Sequence, residues 1–172
     1  ELVEETGMGD TSYLAILTTV LGAPFSEELL VRGIVFEFSL RAFNPQCRPL
    51  WKRRRRVSAQ DGAMVPWAAP STWGIAAAIV LQAAIFGFMH MNWVQGCYAG
   101  AAGLIFGWVL VTTGKLRYTI LLHFAFNAGS YLISLLWFVD TPLGVVITVA
   151  IAGVILVEAM RSLRQACQPD AA

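Results

Sequence analysis

The chain has 172 residues, of which 57% are hydrophobic and only 13% charged, with a mean hydropathy of +0.63. Soluble domains carry roughly 25% charged residues, so the composition excludes an ordinary soluble fold. It points to one compact all-α unit, a polytopic transmembrane helical bundle. The net charge of +1 is uninformative, but its distribution is not. Arg48 and Lys52 through Arg56 form a basic run that could hold nucleic acid. Beside apolar spans, its expected role is topological, and no nucleic-acid partner is predicted. Cys47, Cys97 and Cys167 have no metal-type spacing, and an odd number spread this widely suggests no disulfide framework. The chain begins on Glu1, as a fragment or a processed form does, so any earlier helix or signal segment is invisible.

Residues 1–10 are acidic and polar, an extramembrane segment ahead of a transmembrane domain over 11–164. From Thr11 to Phe43 runs one apolar stretch, longer than the about 20 residues that a span requires. Gly22-Ala23-Pro24 interrupts it. Two readings stay open: one helix kinked at Pro24, or a second helix capped by Ser26, with Glu27 and Glu28 in its first turn. Residues 44–70 form a basic loop with Trp51 and Trp67 as interfacial anchors. Ser71 or Thr72 caps a helix reaching about His90, and a turn follows around Asn92 to Gln95.

The next span, Gly96 to Val111, carries Gly96-x-x-x-Gly100 and Gly103-x-x-x-Gly107, small-residue rows that let helices approach closely. A polar turn, Thr113 to Arg117, leads to a span over Tyr118 to Phe138, and Asp140-Thr141-Pro142 turns the chain again. The last span, Leu143 to Met160, ends at Arg161 and Arg164, and 165–172 form a polar tail. With the 44–70 loop cytoplasmic, Lys115, Arg117, Arg161 and Arg164 fall on the same side, and the acidic start and Asp140 fall outside.

Within these apolar segments lie residues that hydrocarbon does not tolerate without a partner or a wet cavity. Glu28 and Arg32 are four apart with the acid first, the spacing of a favourable helical ion pair with an architectural role. Glu27 is turned about 100° from Glu28, so it cannot share that arginine equally and is free to face something else. His90 ends one span, and taken alone it reads as an interfacial residue bonded to backbone. His123 and Asn127 share a face one turn apart, and taken alone they read as interhelical polar glue. Together these are the chain's two histidines, both in spans, with an unshared glutamate available. One Glu with two His can activate a water, directly or through a metal, and an Asn amide with a His N–H can stabilise an oxyanion.

Glu27-Glu28-x-x-x-Arg32, Phe86-x-x-x-His90 and His123-x-x-x-Asn127 occur in that order, each in a hydrophobic segment. The set resembles the signature of the CPBP (Abi) intramembrane proteases, which include the type II CAAX prenyl endopeptidases. The resemblance covers about residues 15–138, with Gly33 and Thr113-Gly114 also family-like. It implies an intramembrane glutamate-type endopeptidase that needs no metal or other cofactor. Its partners would be the lipid bilayer and membrane proteins or peptides, including prenylated CAAX-type substrates. It further implies that Glu27 and His90 activate water, His123 and Asn127 hold the oxyanion, and Glu28 and Arg32 brace the first helix. Two rivals keep the same residues: a zinc protease using Glu27, His90 and His123, and a non-catalytic scaffold or immunity-type protein of the same fold. One tension is geometric. His90 falls near the outer end of its span and His123 about two turns from the cytoplasmic side, too far apart for one site if the spans are straight. A shared site requires a turn that dips into the bundle, or spans that are tilted, shortened or broken.

Overall fold

The computed structural model describes residues 13–45, 70–134 and 141–167, all of its regular structure helical. The 1–10 segment, Cys47, Arg48, the Lys52 to Arg56 run, Trp51, Trp67 and Asp140 lie outside the described residues.

The first helix, α1, runs unbroken over Tyr13–Phe43. The two-helix reading fails because Ser26 is helix interior. Its hydroxyl donates back to the carbonyls of Gly22 (3.0 Å) and Ala23 (3.1 Å), so it caps nothing. Pro24 is absorbed by a π-helical turn over Thr18–Gly22, immediately before it. A proline lacks an N–H and crowds the preceding turn, and the wider π register makes room for it. A second π segment spans Leu29–Val35, directly after the two glutamates and containing Arg32.

Asn44 ends α1 and ties it to α2 (Thr72–Met89). Its side-chain oxygen accepts from the N–H (2.8 Å) and hydroxyl (2.9 Å) of Ser71. Of the two candidates, Ser71 is the N-cap, accepting from Gly74 N–H at 3.0 Å, and Thr72 is the first helical residue. After His90 and Met91, the side chain of Asn92 accepts from Gln95 N–H at 2.9 Å and starts α3 (Trp93–Thr113). That cap is why Gln95 belongs to the helix and not to the turn. Gly114, at φ 60°, closes α3 in the left-handed conformation that glycine adopts without strain. The remaining helices are α4 (Leu116–Ser134) and α5 (Pro142–Cys167). The last one continues beyond the expected Met160, through a Glu158–Arg161 pair at 2.7 Å.

Helices α2 and α3 form the tightest hairpin of the bundle. At its narrow end, a Cβ on Gly87 would sit 2.6 Å from Gly96 O, and one on Gly96 would sit 2.9 Å from Gly87 O. Backbone cannot yield as a side chain can. Gly87→Ala should therefore lower stability by about 1–3 kcal/mol, the usual cost of overpacking, read as a lower unfolding midpoint in detergent. Below this contact, Phe36 and Leu40 of α1, Ala78 of α2 and Leu110 of α3 form one apolar cluster, against which Leu116 of α4 packs. Val31, Phe86 and Ala99 form a second cluster higher up.

Four helices, α1, α2, α3 and α5, are long and apolar enough to cross a membrane. Their outer faces carry exposed Leu, Ile, Val and Phe, as a lipid-facing surface requires. Helix α4 does not meet that standard among the described residues, because Arg117, His123 and Asn127 lower its hydropathy. These features make the chain a multi-pass membrane protein.

Candidate active site

Glu28 is fully buried where α1 faces α4. Its Oε1 lies 2.9 Å from Arg32 Nη1 and 3.0 Å from His123 Nδ1. The ion pair expected from the i, i+4 spacing is present, and Glu28 has a second partner that the spacing did not reveal. A carboxylate accepts, so His123 donates its Nδ1–H and presents Nε2 to the opposite side. There Nε2 lies 3.8 Å from Glu27 Oε2, too long for a hydrogen bond but close for interacting charges. Glu27 is 28% exposed, whereas Glu28 is sealed, so adjacent carboxylates occupy opposite environments.

Arg32 is buried beneath them, its guanidinium 4.2 Å from the Phe86 ring centroid and 5.1 Å from that of Phe106. Weakly hydrated and planar, a guanidinium suits such an aromatic slot. The same two rings hold His123. Phe86 meets it edge-on at 5.7 Å, and Phe106 lies tilted against it at 5.1 Å. Phe86 also meets His90 edge-on at 4.9 Å, so one phenyl ring separates the two imidazoles.

His90 bonds through Nδ1 to Phe86 O at 2.8 Å. This is the backbone contact its position suggested. A carbonyl can only accept, so Nδ1 carries the proton and the neutral ring keeps a lone pair on Nε2. Asn127 donates one Nδ2 hydrogen to Thr19 O of α1 at 2.8 Å and keeps the other.

Glu27, His90, His123 and Asn127 line one cavity of about 190 Å³, together with Thr19, Ala23, Gln95, Tyr98 and Phe126. The longitudinal tension is resolved by the hairpin. The residues around its turn border Ala23 and Glu27, close to the middle of α1, so the turn is set into the bundle. Leu116, at the start of α4, packs beside Gly33 and Leu40, which brings His123 up to the level of Glu28. Glu27 lies 3.8 Å from His123 Nε2, and His90 lines the same cavity. Among the described residues, no three His, Cys, Asp or Glu side chains gather as a metal-holding group. A larger apolar groove, about 530 Å³, lies on the other face of the α2–α3 hairpin along Phe88, Met91 and Trp93, away from these side chains.

Sequence reasoning did not find Phe106, Thr19, Tyr98 or Gln95. Aromatic and small polar residues in apolar segments carry no spacing signal of their own. Gln82, a fully buried amide inside α2, was legible by the argument applied to the histidines.

No curated protein and no solved structure matches the chain. The family model described as type II CAAX prenyl endopeptidase Rce1-like matches residues 9–129, well over half of the chain. That span contains all three motifs and every residue named around the cavity. The chain accordingly belongs to the Rce1-like type II CAAX prenyl endopeptidase family.

Proposed function

We propose that the protein is an intramembrane endopeptidase that hydrolyses a peptide bond of a membrane-associated substrate, of the prenylated CAAX type, by an activated water. The observation that carries this reading is the convergence of Glu27, His90, His123 and Asn127, from three segments of sequence, on one cavity. Two of these groups are acceptors facing the cavity: the Glu27 carboxylate and the free Nε2 of His90. Water held between them loses a proton to Glu27 as its oxygen attacks the scissile carbonyl carbon. The carbonyl oxygen becomes an oxyanion, and the donors offered to it are the spare amide hydrogen of Asn127 and the Nε2–H of His123 in its protonated state. Glu28, held by Arg32, orients the ring by accepting from its other nitrogen. Collapse of the tetrahedral species breaks the C–N bond, and Glu27 returns its proton to the departing amine. The products are a new C-terminal carboxylate and a free amine, with no covalent intermediate.

This reading assigns the bilayer and a membrane protein or peptide as partners, with the 44–70 loop on the cytoplasmic side. It is tested with purified protein in bicelles, an internally quenched prenylated CAAX peptide and ¹⁸O-labelled water. Turnover is expected to place one ¹⁸O in the new carboxylate of the product. Saturable binding without turnover would instead make the chain a scaffold and overturn the reading.

A further inference from the structure

The amide of Gln82 is fully buried halfway along α2, and the mechanism above makes no use of it. Both of its Nε2 hydrogens are engaged, one with Ile79 O (2.9 Å) on its own helix and one with Gly103 O (2.7 Å) on α3. Its Oε1 has no hydrogen-bond partner among the described residues. Arg32 has the opposite deficiency. It is 1% exposed and Nη1 touches Glu28, yet the geometry of that contact is not a hydrogen bond, and none of its nitrogens has one among the described residues. Buried donors and acceptors left in this way are costly, so complementary orphans that pack together satisfy each other.

Both groups approach the glycine face of α3, Gln82 through its bond to Gly103 O and Arg32 beside the Gly103 Cα. A Cβ on Gly103 would come within 3.2 Å of Arg32 Nη2, and one on Gly107 within 2.7 Å of Gln82 Nε2. The glycines therefore do more than let helices approach. They leave the room in which the amide of α2 and the guanidinium of α1 both close on Gly103.

We infer that Gln82 is a positioning residue of the active site. Its Oε1 accepts from Arg32 through one water, and steadies the guanidinium that fixes Glu28 and, through Glu28, the His123 ring. The chain Gln82–Arg32–Glu28–His123 crosses α2, α1 and α4. Its kinetic consequence rests on the protease reading, but its geometric consequence does not. The simpler role would be glue between α2 and α3 through the Nε2 bond to Gly103, and two substitutions separate the roles. Gln82→Met matches the length and suits hydrocarbon but removes donors and acceptor alike. Gln82→Glu removes the donors and keeps the acceptor.

The full chain in bicelles has two histidines, so ¹⁵N spectra of its imidazoles are simple to assign. Gln82→Met should shift the His123 ring resonances and leave those of His90 in place, and Gln82→Glu should restore them. On the quenched prenylated peptide, Gln82→Met should lower kcat about tenfold to a hundredfold, the scale of a remote misplacement, with KM unchanged. Gln82→Glu should recover most of that rate. An unmoved His123 spectrum in Gln82→Met, or a Gln82→Glu protein no better than Gln82→Met, would overturn the inference. If Gln82→Glu does not fold, Gln82→Met is judged on its spectrum together with its unfolding midpoint: a shifted His123 at a near wild-type midpoint supports the inference, and a lowered midpoint with both histidines shifted overturns it. Should the wild type show no turnover, the protease reading fails while the spectra still judge Gln82.

Discussion

Glu27→Gln should reduce kcat by about 10²–10⁴-fold, the contribution of a positioned general base, and leave the helical bundle folded. The amide has the shape of the carboxylate but cannot take a proton from water. Folding survives because Glu27 is partly exposed and its ion-pair contact with His123 Nε2 is as long as 3.8 Å. No buried ion is stranded by the change. The measurement is turnover of the quenched prenylated peptide, with the unfolding midpoint recorded on the same sample. A variant that keeps the wild-type rate within a few-fold would remove Glu27 from the chemistry.

The neighbouring substitution should behave in the reverse way. Glu28→Ala strands the Arg32 guanidinium at 1% exposure and leaves His123 Nδ1–H without its acceptor. Breaking one side of a buried ion pair costs about 3–5 kcal/mol, so the expected result is a large fall in the unfolding midpoint, with activity lost as a consequence. The control is the apolar pair Glu28→Leu with Arg32→Met. Replacing both charges removes the stranded ion, so stability should return to near the wild-type value. Activity should not return, because His123 still lacks the carboxylate that orients it. A single variant as stable as the wild type would mean that the charges are solvated rather than buried.

Membership of a helical membrane bundle was written into the composition, because hydrocarbon admits few backbone solutions besides helices that satisfy their own hydrogen bonds. The three motifs were equally legible, since an acid or an imidazole in an apolar run is expensive and stands out against it. Local chemistry also narrowed the cap to Ser71 or Thr72, of which Ser71 takes the role, and placed a turn over Thr113 to Arg117, where Gly114 is left-handed. Neighbouring residues and backbone geometry suffice for such features.

Partnership across the bundle was not legible. Spacing along one helix predicts that Glu28 reaches Arg32, but it is silent about a histidine 95 residues away. It is equally silent about whether Pro24 breaks a helix or sits behind a π turn, since both satisfy the same apolar pattern. Which glutamate is sealed, how deep the α2–α3 turn lies, and which nitrogen of each histidine faces the cavity were settled by packing. Those properties depend on the relative heights of separate helices. Residues facing each other on different helices set these heights, and their distance along the chain carries no trace of that meeting.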